Sequence, residues 1–193
     1  MTAAVENAPL FTESDCLRIA KELYGLDVSA QPLPSERDQN FRIQDSRGTK
    51  FVLKIANSGE SREILNLQNG AMRFLRDRAI GIEVPCVIPS RLGEEIASVA
   101  GVNGAGHFVR LLTWIDGVCL AHVKPHSTAL LSSLGRSLAE MDLALAGFSH
   151  SAMHRKFHWD LRLASTARPH LELMAAGRRR IVEAFLDRWE KLE

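Results

Sequence analysis

A lysine lies inside a short apolar segment of this chain and is the residue best suited to bind an anion. Lys54 stands between Leu53 and Ile55 in the segment FVLKIA. A buried cation needs an anionic partner, because an unpaired charge is costly to remove from water. Polar residues at 35–40 precede this segment, and a turn there can point backbone N–H groups inward as an anion-binding nest. The pattern indicates a phosphate site; an edge strand from which Lys54 reaches solvent is the alternative.

Strands and helices in the first part of the chain are predicted to position this lysine. The segment 51–56 carries apolar groups on both faces, which is typical of a buried strand. A turn before it ends in Gly48, where a positive φ is expected, and Thr12 is expected to cap the first helix. The predicted elements are a helix at 12–24, strands at 41–44 and 51–56, a helix at 61–78, and strands at 95–100 and 107–112.

The pattern becomes helical after residues 114–117. Apolar residues at helical spacing predict helices at 127–146, 161–175 and 178–192. Pro169 is expected to kink or split the second of these helices. The change predicts a hinge that joins a strand-rich lobe at 1–114 to a helical lobe at 115–193.

Composition excludes several classes of function. The 193 residues are 46% apolar and 24% charged with a net charge of +1, which is typical of a globular protein and gives no bulk attraction to nucleic acid or an anionic membrane. No apolar run approaches the ~20 residues that a membrane span needs. Three widely spaced cysteines argue against a disulfide framework. These features predict a cytoplasmic protein.

The order of these elements resembles the protein-kinase-like fold of aminoglycoside phosphotransferases. The segments SERDQNF, FVLKIAN, VRLLTWIDG, LGRSLAEMDLALAGFSH and HWDL are similar to the hydroxylysine-kinase-like branch of that family, some members of which are fused to a class III aminotransferase. The resemblance covers nearly the whole chain. It implies an α+β fold, in which 1–114 is a nucleotide-binding N-lobe with an antiparallel sheet and 115–193 is an incomplete helical C-lobe.

The resemblance also implies an ATP site and assigns residues to it. Lys54 matches the lysine that contacts the α- and β-phosphates, and the linker after the last strand matches the one whose backbone binds adenine. Gln68 falls where the family usually has the glutamate that pairs with this lysine; an amide accepts a hydrogen bond but does not neutralise the charge. The implied ATP-binding residues are Ser35, Glu36, Arg37, Asp38, Gln39 and Asn40 in the phosphate loop, Lys54, Gln68, and Leu112, Thr113 and Trp114 in the linker.

The catalytic loop of the family is not found in this sequence. Family members carry a His-x-Asp loop, followed by an asparagine and a second aspartate that hold Mg²⁺. His158-Trp159-Asp160 is superficially similar, but no asparagine follows it, and the family's Trp-Asp-Leu element precedes that loop. Trp159 is therefore expected to be buried and Asp160 to cap a helix. No catalytic residue and no metal ligand is predicted here, although Mg²⁺ is implied for a full-length parent.

The resemblance thus predicts the N-terminal part of an ATP-dependent phosphotransferase, inactive by itself. Its parent would phosphorylate a hydroxyl of a small molecule such as an amino alcohol, a hydroxylated amino acid or an aminoglycoside-like compound. A non-catalytic, pseudokinase-like module that docks to a partner such as an aminotransferase is the second hypothesis. An unrelated α+β domain with Lys54 on its surface is the third.

Two further features carry less weight. Apolar residues of the last helix have little chain left to bury them, and this predicts exposed apolar surface and self-association; they are Phe185, Leu186, Trp189 and Leu192. His150, His154 and His158 recur at the spacing of metal ligands on a helix. The residues 147–149 instead indicate a helix end, which favours polar loop histidines.

Overall fold

The computed structural model describes residues 7–78, 80–102, 104–155 and 160–191. The chain divides into two compact units, Met1–Ala152 and Met153–Glu193. The first unit contains strands and helices, and the described residues of the second unit form helical segments. The lobe boundary predicted near residue 114 stays a prediction.

Within the described residues, six strands form one antiparallel sheet in the first unit. They are β1 (Val28–Leu33), β2 (Gln39–Asp45), β3 (Lys50–Ile55), β4 (Val87–Ile88), β5 (Ala97–Ala100) and β6 (Gly106–Thr113). The strand order is β1-β2-β3-β6-β4, and β5 also pairs with β6. Because β3 is hydrogen-bonded to β2 on one side and to β6 on the other, it is an internal strand. Lys54 therefore cannot be explained as a lysine that reaches solvent from an edge strand.

The first helix, α1 (Glu13–Tyr24), covers one face of this sheet. The Thr12 hydroxyl accepts a hydrogen bond from the Asp15 N–H, and the Asp15 carboxylate accepts one from the Thr12 N–H, so the predicted cap is a complete capping box. The helix ends at Gly25, whose φ of 71° suits glycine. The apolar side chains on this face of the strands are Phe41, Ile43, Leu53, Ile55, Val109 and Leu111. Their burial fixes the register, because a shift by one residue would expose all of them.

The opposite face of the sheet is polar where the candidate site lies. Successive side chains of a strand point to opposite faces, so this face carries Asn40 of β2, Lys54 of β3 and Arg110 of β6. The second helix, α2 (Arg62–Asp77), is capped by Ser61 and packs Leu65 beside Phe108 of β6. α2 thus stands over one end of the polar face.

The third helix, α3 (Thr128–Leu145), is capped by Ser127. None of its residues is buried within the described part of the first unit. Its apolar stripe is exposed at Leu131, Leu134, Leu138 and Leu143.

The second unit differs from the prediction. Residues Leu161–Leu173 form a run of 3₁₀ turns rather than an α-helix, and the backbone leaves helical geometry at Leu163 rather than at Pro169. The kink predicted at Pro169 is therefore wrong. α4 (Ala176–Trp189) follows. Phe185 is exposed as expected, but Leu186 is only 6% exposed, and Leu192 lies outside the described residues.

β1 is an element that the sequence pattern missed. It contains Pro32 and pairs only with β2 in the described sheet, in register with Pro32 opposite Phe41. Proline is tolerated on an edge strand, where one side needs no ladder hydrogen bonds. β2 also begins earlier than predicted, at Gln39. Gln39 and Asn40 therefore belong to this strand and not to the preceding loop.

Candidate functional site

Three polar side chains from neighbouring strands form a row across the sheet. Asn40, Lys54 and Arg110 are directly opposite one another in the register of β2, β3 and β6. The Lys54 Nζ donates a hydrogen bond of 2.9 Å to the Asn40 Oδ1. Lys54 is half-buried, whereas Arg110 is 2% exposed. The sheet thus places two cations side by side at a site of limited solvent access.

Arg110 is bound by α2. Its Nη2 donates to the Gln68 Oε1 at 2.6 Å and its Nη1 donates to the Asn69 Oδ1 at 2.7 Å. The Arg110 Nε is buried and has no hydrogen-bond partner among the described residues. Gln68 therefore lies beside the candidate site, where it accepts a hydrogen bond from Arg110 and not from Lys54.

Carboxylates near these cations do not neutralise them by direct contact. Among the described residues, neither Lys54 nor Arg110 forms an ion pair. Burial lowers the pKa of Lys54; the Asp38 carboxylate opposes this shift and the Arg110 charge adds to it. Burial also lowers the pKa of Arg110, and the carboxylates of Asp38 and Glu60 oppose this shift. The site carries positive charge that an anionic ligand can satisfy.

The loop before β2 is held close to this row. The Asp38 Oδ1 accepts a hydrogen bond of 3.1 Å from the backbone N–H of Asn57, which follows β3. Ser35, Glu36 and Arg37 are exposed. The loop therefore presents its polar groups to solvent beside the end of β3 that carries Lys54.

Gln39 is separated from the other predicted phosphate-loop residues. Its side-chain amide donates to the Phe11 carbonyl at 2.7 Å and accepts from the Phe11 N–H at 2.8 Å. Phe11 belongs to the core under α1, so this amide lies on the opposite face from Lys54. The side chain of Gln39 thus forms hydrogen bonds that stabilise the fold.

The predicted linker residues lie at the end of β6. Leu112 is opposite Val52 and shares the face of Lys54. The Thr113 N–H donates to the Cys86 carbonyl at 2.9 Å, and the Thr113 hydroxyl accepts from the Cys86 N–H at 2.9 Å. These backbone groups are therefore already satisfied within the protein.

Trp114 closes this end of the polar face. The guanidinium of Arg42 lies 5.9 Å from the centroid of its ring, and its indole Nε1 donates to the Asp116 Oδ1 at 3.0 Å. Lys50 also donates to the Asp116 Oδ1, at 2.7 Å. Lys50 is thus paired with a carboxylate, in contrast to Lys54 on the same strand and face.

Sequence reasoning missed Arg110, although the sequence contains a signal for it. The segment HFVRLLT places one cation among apolar strand residues, as FVLKIA does for Lys54. Both cations emerge on the same face only because β6 pairs with β3.

The remaining candidate residues do not form a second site. Asp160 accepts a hydrogen bond from the Arg162 N–H and caps the 3₁₀ run, as predicted, whereas His158 and Trp159 lie outside the described residues. His154 ends a single 3₁₀ turn that begins at Ser151, so it does not continue an α-helical spacing from His150. In the part of the chain that the structure describes, no group of three or more His, Cys, Asp or Glu side chains is arranged to hold a metal. No helix among these residues is long and apolar enough to cross a membrane.

Comparison with known proteins shows which family this chain resembles. Residues 29–192 match the model of the APH family, described as the phosphotransferase enzyme family. A hydroxylysine kinase of Mus musculus is 34% identical over 92% of this chain and 51% of its own length. A hydroxylysine kinase of Danio rerio is 29% identical over 96% of this chain and 54% of its own length. The chain spans about half the length of the curated relatives that it matches.

Solved structures share the fold at lower identity. An amicoumacin kinase in complex with AMP-PNP and Ca²⁺ superposes with a TM-score of 0.65 at 18% identity, covering 94% of this chain and 52% of that one. A microcompartment-associated aminopropanol kinase superposes with a TM-score of 0.61 at 16% identity, covering 78% and 46% respectively. These likenesses confirm the predicted α+β, kinase-like fold.

Proposed function

Because the chain belongs to the phosphotransferase enzyme family, we propose that it forms the nucleotide-binding part of an ATP-dependent small-molecule kinase. The phosphates of ATP bind at the row of Lys54 and Arg110. The reaction class is transfer of a phosphoryl group to a hydroxyl of a small molecule. The names of the relatives, which are hydroxylysine kinases, support an acceptor that is a hydroxylated amino acid or a similar amino alcohol.

The observation that carries this proposal is the unpaired charge of Lys54. A lysine on an internal strand, half-buried and bonded only to a neutral amide among the described residues, retains a charge that an anion can satisfy. A lysine of purely structural use would be expected to have a carboxylate partner, as Lys50 has in Asp116.

An apolar surface on the same face supports a nucleoside beside the phosphates. Val52 and Leu112 are opposite each other, one row along the sheet from Lys54 and Arg110. Leu112 is buried at 8% exposure, so the accessible part of this surface is supplied by Val52 and by Trp114, which lies near Arg42; both are half-buried. A purine ring stacked on this surface would bury its apolar faces while its phosphates reach Lys54. The implied contacts of Ser35, Glu36, Arg37 and Asp38 with phosphates remain part of this proposal.

We infer that this chain binds nucleotide without transferring phosphate. Phosphoryl transfer depends on metal ions that neutralise the developing charge, and the sequence from His158 onward contains no asparagine of the kind that the family uses as a metal ligand. No step is therefore assigned to Mg²⁺ in this chain. The test is incubation of the purified chain with ATP, Mg²⁺ and hydroxylysine. We expect no phosphorylated product, and product formation that requires Lys54 would contradict this inference.

Isothermal titration with ATP tests the binding site. We expect Lys54→Met to weaken ATP binding by at least about tenfold, because it removes one charge-assisted contact to phosphate. The control is Lys50→Met, which removes a cation from the same strand and face and should change the affinity by less than about twofold. If the wild-type chain does not bind ATP, or if Lys54→Met binds ATP equally well, the proposal is wrong.

A non-catalytic docking module is the second candidate, and the exposed leucines of α3 favour it. Leu131 and Leu138 are 49% and 48% exposed on one helix face, as a partner-binding surface would be. Such a module would retain its partner after Lys54→Met. It would also show no difference between the Lys54→Met and Lys50→Met variants in ATP titrations.

A further inference from the structure

We propose that Arg42 binds the base of the nucleotide by stacking its guanidinium group on a purine ring, and that it thereby makes the site prefer purine to pyrimidine nucleotides. This inference rests on the proposed function, since it concerns the nucleoside end of the same site. It adds to that site a residue that the sequence pattern did not single out.

The position of Arg42 in the sheet is the first support. Arg42 lies on β2 opposite Val52 of β3, and Val52 is opposite Leu112 of β6. This row is two residues from the row of Asn40 and Lys54 on the same face, which is about 7 Å along the strands. A nucleotide whose phosphates reach Lys54 can therefore extend its base to the row of Arg42 and Val52.

The direction of the Arg42 side chain is the second support. Trp114 follows β6, and β3 lies between β6 and the strand that carries Arg42. Strands two places apart in a sheet are ~10 Å apart, but the guanidinium carbon of Arg42 lies 5.9 Å from the centroid of the Trp114 ring. The two side chains therefore approach each other across β3, where Val52 is half-buried on the same face.

The third support is that Arg42 has no polar partner in the part of the chain that the structure describes. Its side chain is half-buried, and within those residues it forms neither a hydrogen bond nor an ion pair. The carboxylate at this end of the face, Asp116, instead accepts hydrogen bonds from Lys50 and Trp114. Partial burial of an unpaired cation is costly. The guanidinium group of Arg42 therefore keeps donors and flat faces that a ligand can use.

Arg62 shows how an arginine with a structural role contacts an aromatic ring in this protein. Its guanidinium carbon lies 4.8 Å from the centroid of the Phe108 ring, and its Nη1 donates to the Ile96 carbonyl at 3.0 Å. Arg42 is farther from its ring, close to the ~6 Å limit of a cation–π interaction, and has no carbonyl acceptor among the described residues. The contact with Trp114 alone therefore does not account for a half-buried arginine at this position.

The chemistry of a guanidinium group indicates the class of base. The group is planar, stacks on aromatic faces, and carries N–H donors but no acceptor. A purine has two fused rings, so it offers a larger face than a pyrimidine to Arg42 and Trp114. A lysine carries the same charge but has no plane that could stack. The preference for purines should therefore depend on the shape of the Arg42 side chain and not on its charge.

Isothermal titration of ATP and UTP into the purified chain tests this inference. The two nucleotides carry the same triphosphate and differ only in the base, and we expect the wild-type chain to bind ATP more tightly. Arg42→Lys keeps the charge but loses the stacking, so it should weaken ATP binding by about fivefold and UTP binding by less than about twofold. Arg42→Met also removes the charge, and it should weaken both nucleotides while it again lowers the ratio of ATP to UTP affinity.

Arg47→Lys is the matched control. Arg47 is exposed in the turn between β2 and β3, outside the polar face of the sheet. The same exchange at this position should leave the affinities for ATP and UTP unchanged. Thermal unfolding without nucleotide should give Arg42→Lys a Tm close to that of the wild-type chain, because the side chain that it replaces forms no hydrogen bond or ion pair among the described residues.

The outcomes separate this inference from the proposed function. If the wild-type chain binds ATP through Lys54 but does not prefer it to UTP, or if Arg42→Lys keeps the wild-type preference, the inference is wrong. Equal weakening of ATP and UTP by Arg42→Lys would also contradict it, because the effect would then concern the phosphates or the fold. If the wild-type chain fails to bind ATP, or binds it independently of Lys54, the proposed function itself is wrong.

Discussion

Replacing Lys54 with methionine is expected to stabilise the protein while it weakens nucleotide binding. Methionine has nearly the same length as lysine and carries no charge. The substitution removes a charge that burial penalises and that faces the like charge of Arg110 across the ladder. A residue whose buried charge serves ligand binding is expected to lower the stability of the fold that carries it.

The magnitude follows from opposing contributions. Two unit charges ~7 Å apart repel by roughly 2 kcal/mol at an effective dielectric constant of ~20. Solvent screening at the half-buried Lys54, the loss of attraction to Asp38, and a hydrogen bond to Asn40 worth about 1 kcal/mol reduce this gain. We expect a net stabilisation of about 1 kcal/mol, which raises Tm by ~2–4 °C for a chain of this size.

Thermal unfolding with and without ATP is the assay. At the same ATP concentration, ATP should raise the Tm of the wild-type chain more than that of Lys54→Met, because tighter binding to the folded state gives a larger stabilisation. Lys50→Met serves as the control, since it breaks the ion pair with Asp116. It should give an equal or slightly lower Tm and keep the shift with ATP. The reasoning is refuted if Lys54→Met lowers Tm, or if ATP raises its Tm as much as that of the wild-type chain.

Three further predictions concern stability and association. Thr12→Ala removes the capping box and should lower the free energy of unfolding by about 1 kcal/mol, measured by urea denaturation. Hydrogen bonds from Lys50 and Trp114 hold the pKa of Asp116 below its usual value of 3.8. The stability that Asp116 contributes is therefore present above about pH 4 and lost as the pH falls through its folded-state pKa. Asp116→Asn should accordingly destabilise the chain at pH 7 more than at pH 3. Finally, the double substitution of Leu134 and Leu138 by Gln should reduce self-association in sedimentation velocity, because both leucines are exposed on α3.

Helix boundaries were the part of the fold that short-range sequence signals predicted best. Thr12, Ser61 and Ser127 each accept a hydrogen bond from a backbone N–H near the start of a helix. Such a bond joins residues three positions apart, so the signal and the structure that it stabilises lie within one turn. Gly48 likewise has a φ of 86° within its own turn. These features could be predicted because they do not depend on distant contacts.

Strand β1 depends on a distant contact and could not be predicted in the same way. Its burial pattern includes no fully buried residue, and Pro32 argues against a strand by local rules. The strand forms because every residue of β1, from Val28 to Leu33, is opposite a residue of β2 in an antiparallel ladder. The side-chain contacts of Gln39 could not be predicted for a related reason. Only the packing of α1 against the sheet brings the backbone of Phe11 within reach of the Gln39 amide.

One cation of the candidate site, Lys54, was predicted from the sequence, whereas the other, Arg110, was missed because its place beside Lys54 depends on distant contacts. Lys54 and Arg110 carry the same local signal, a cation inside an apolar strand, but their proximity depends on the pairing of strands that are far apart in sequence. A single cation in such a strand can be satisfied by one neighbouring amide, as Asn40 does for Lys54. Two cations in adjacent strands cannot both be neutralised by amides, because amides carry no charge. Their joint retention therefore points to an anionic ligand more strongly than either residue does alone.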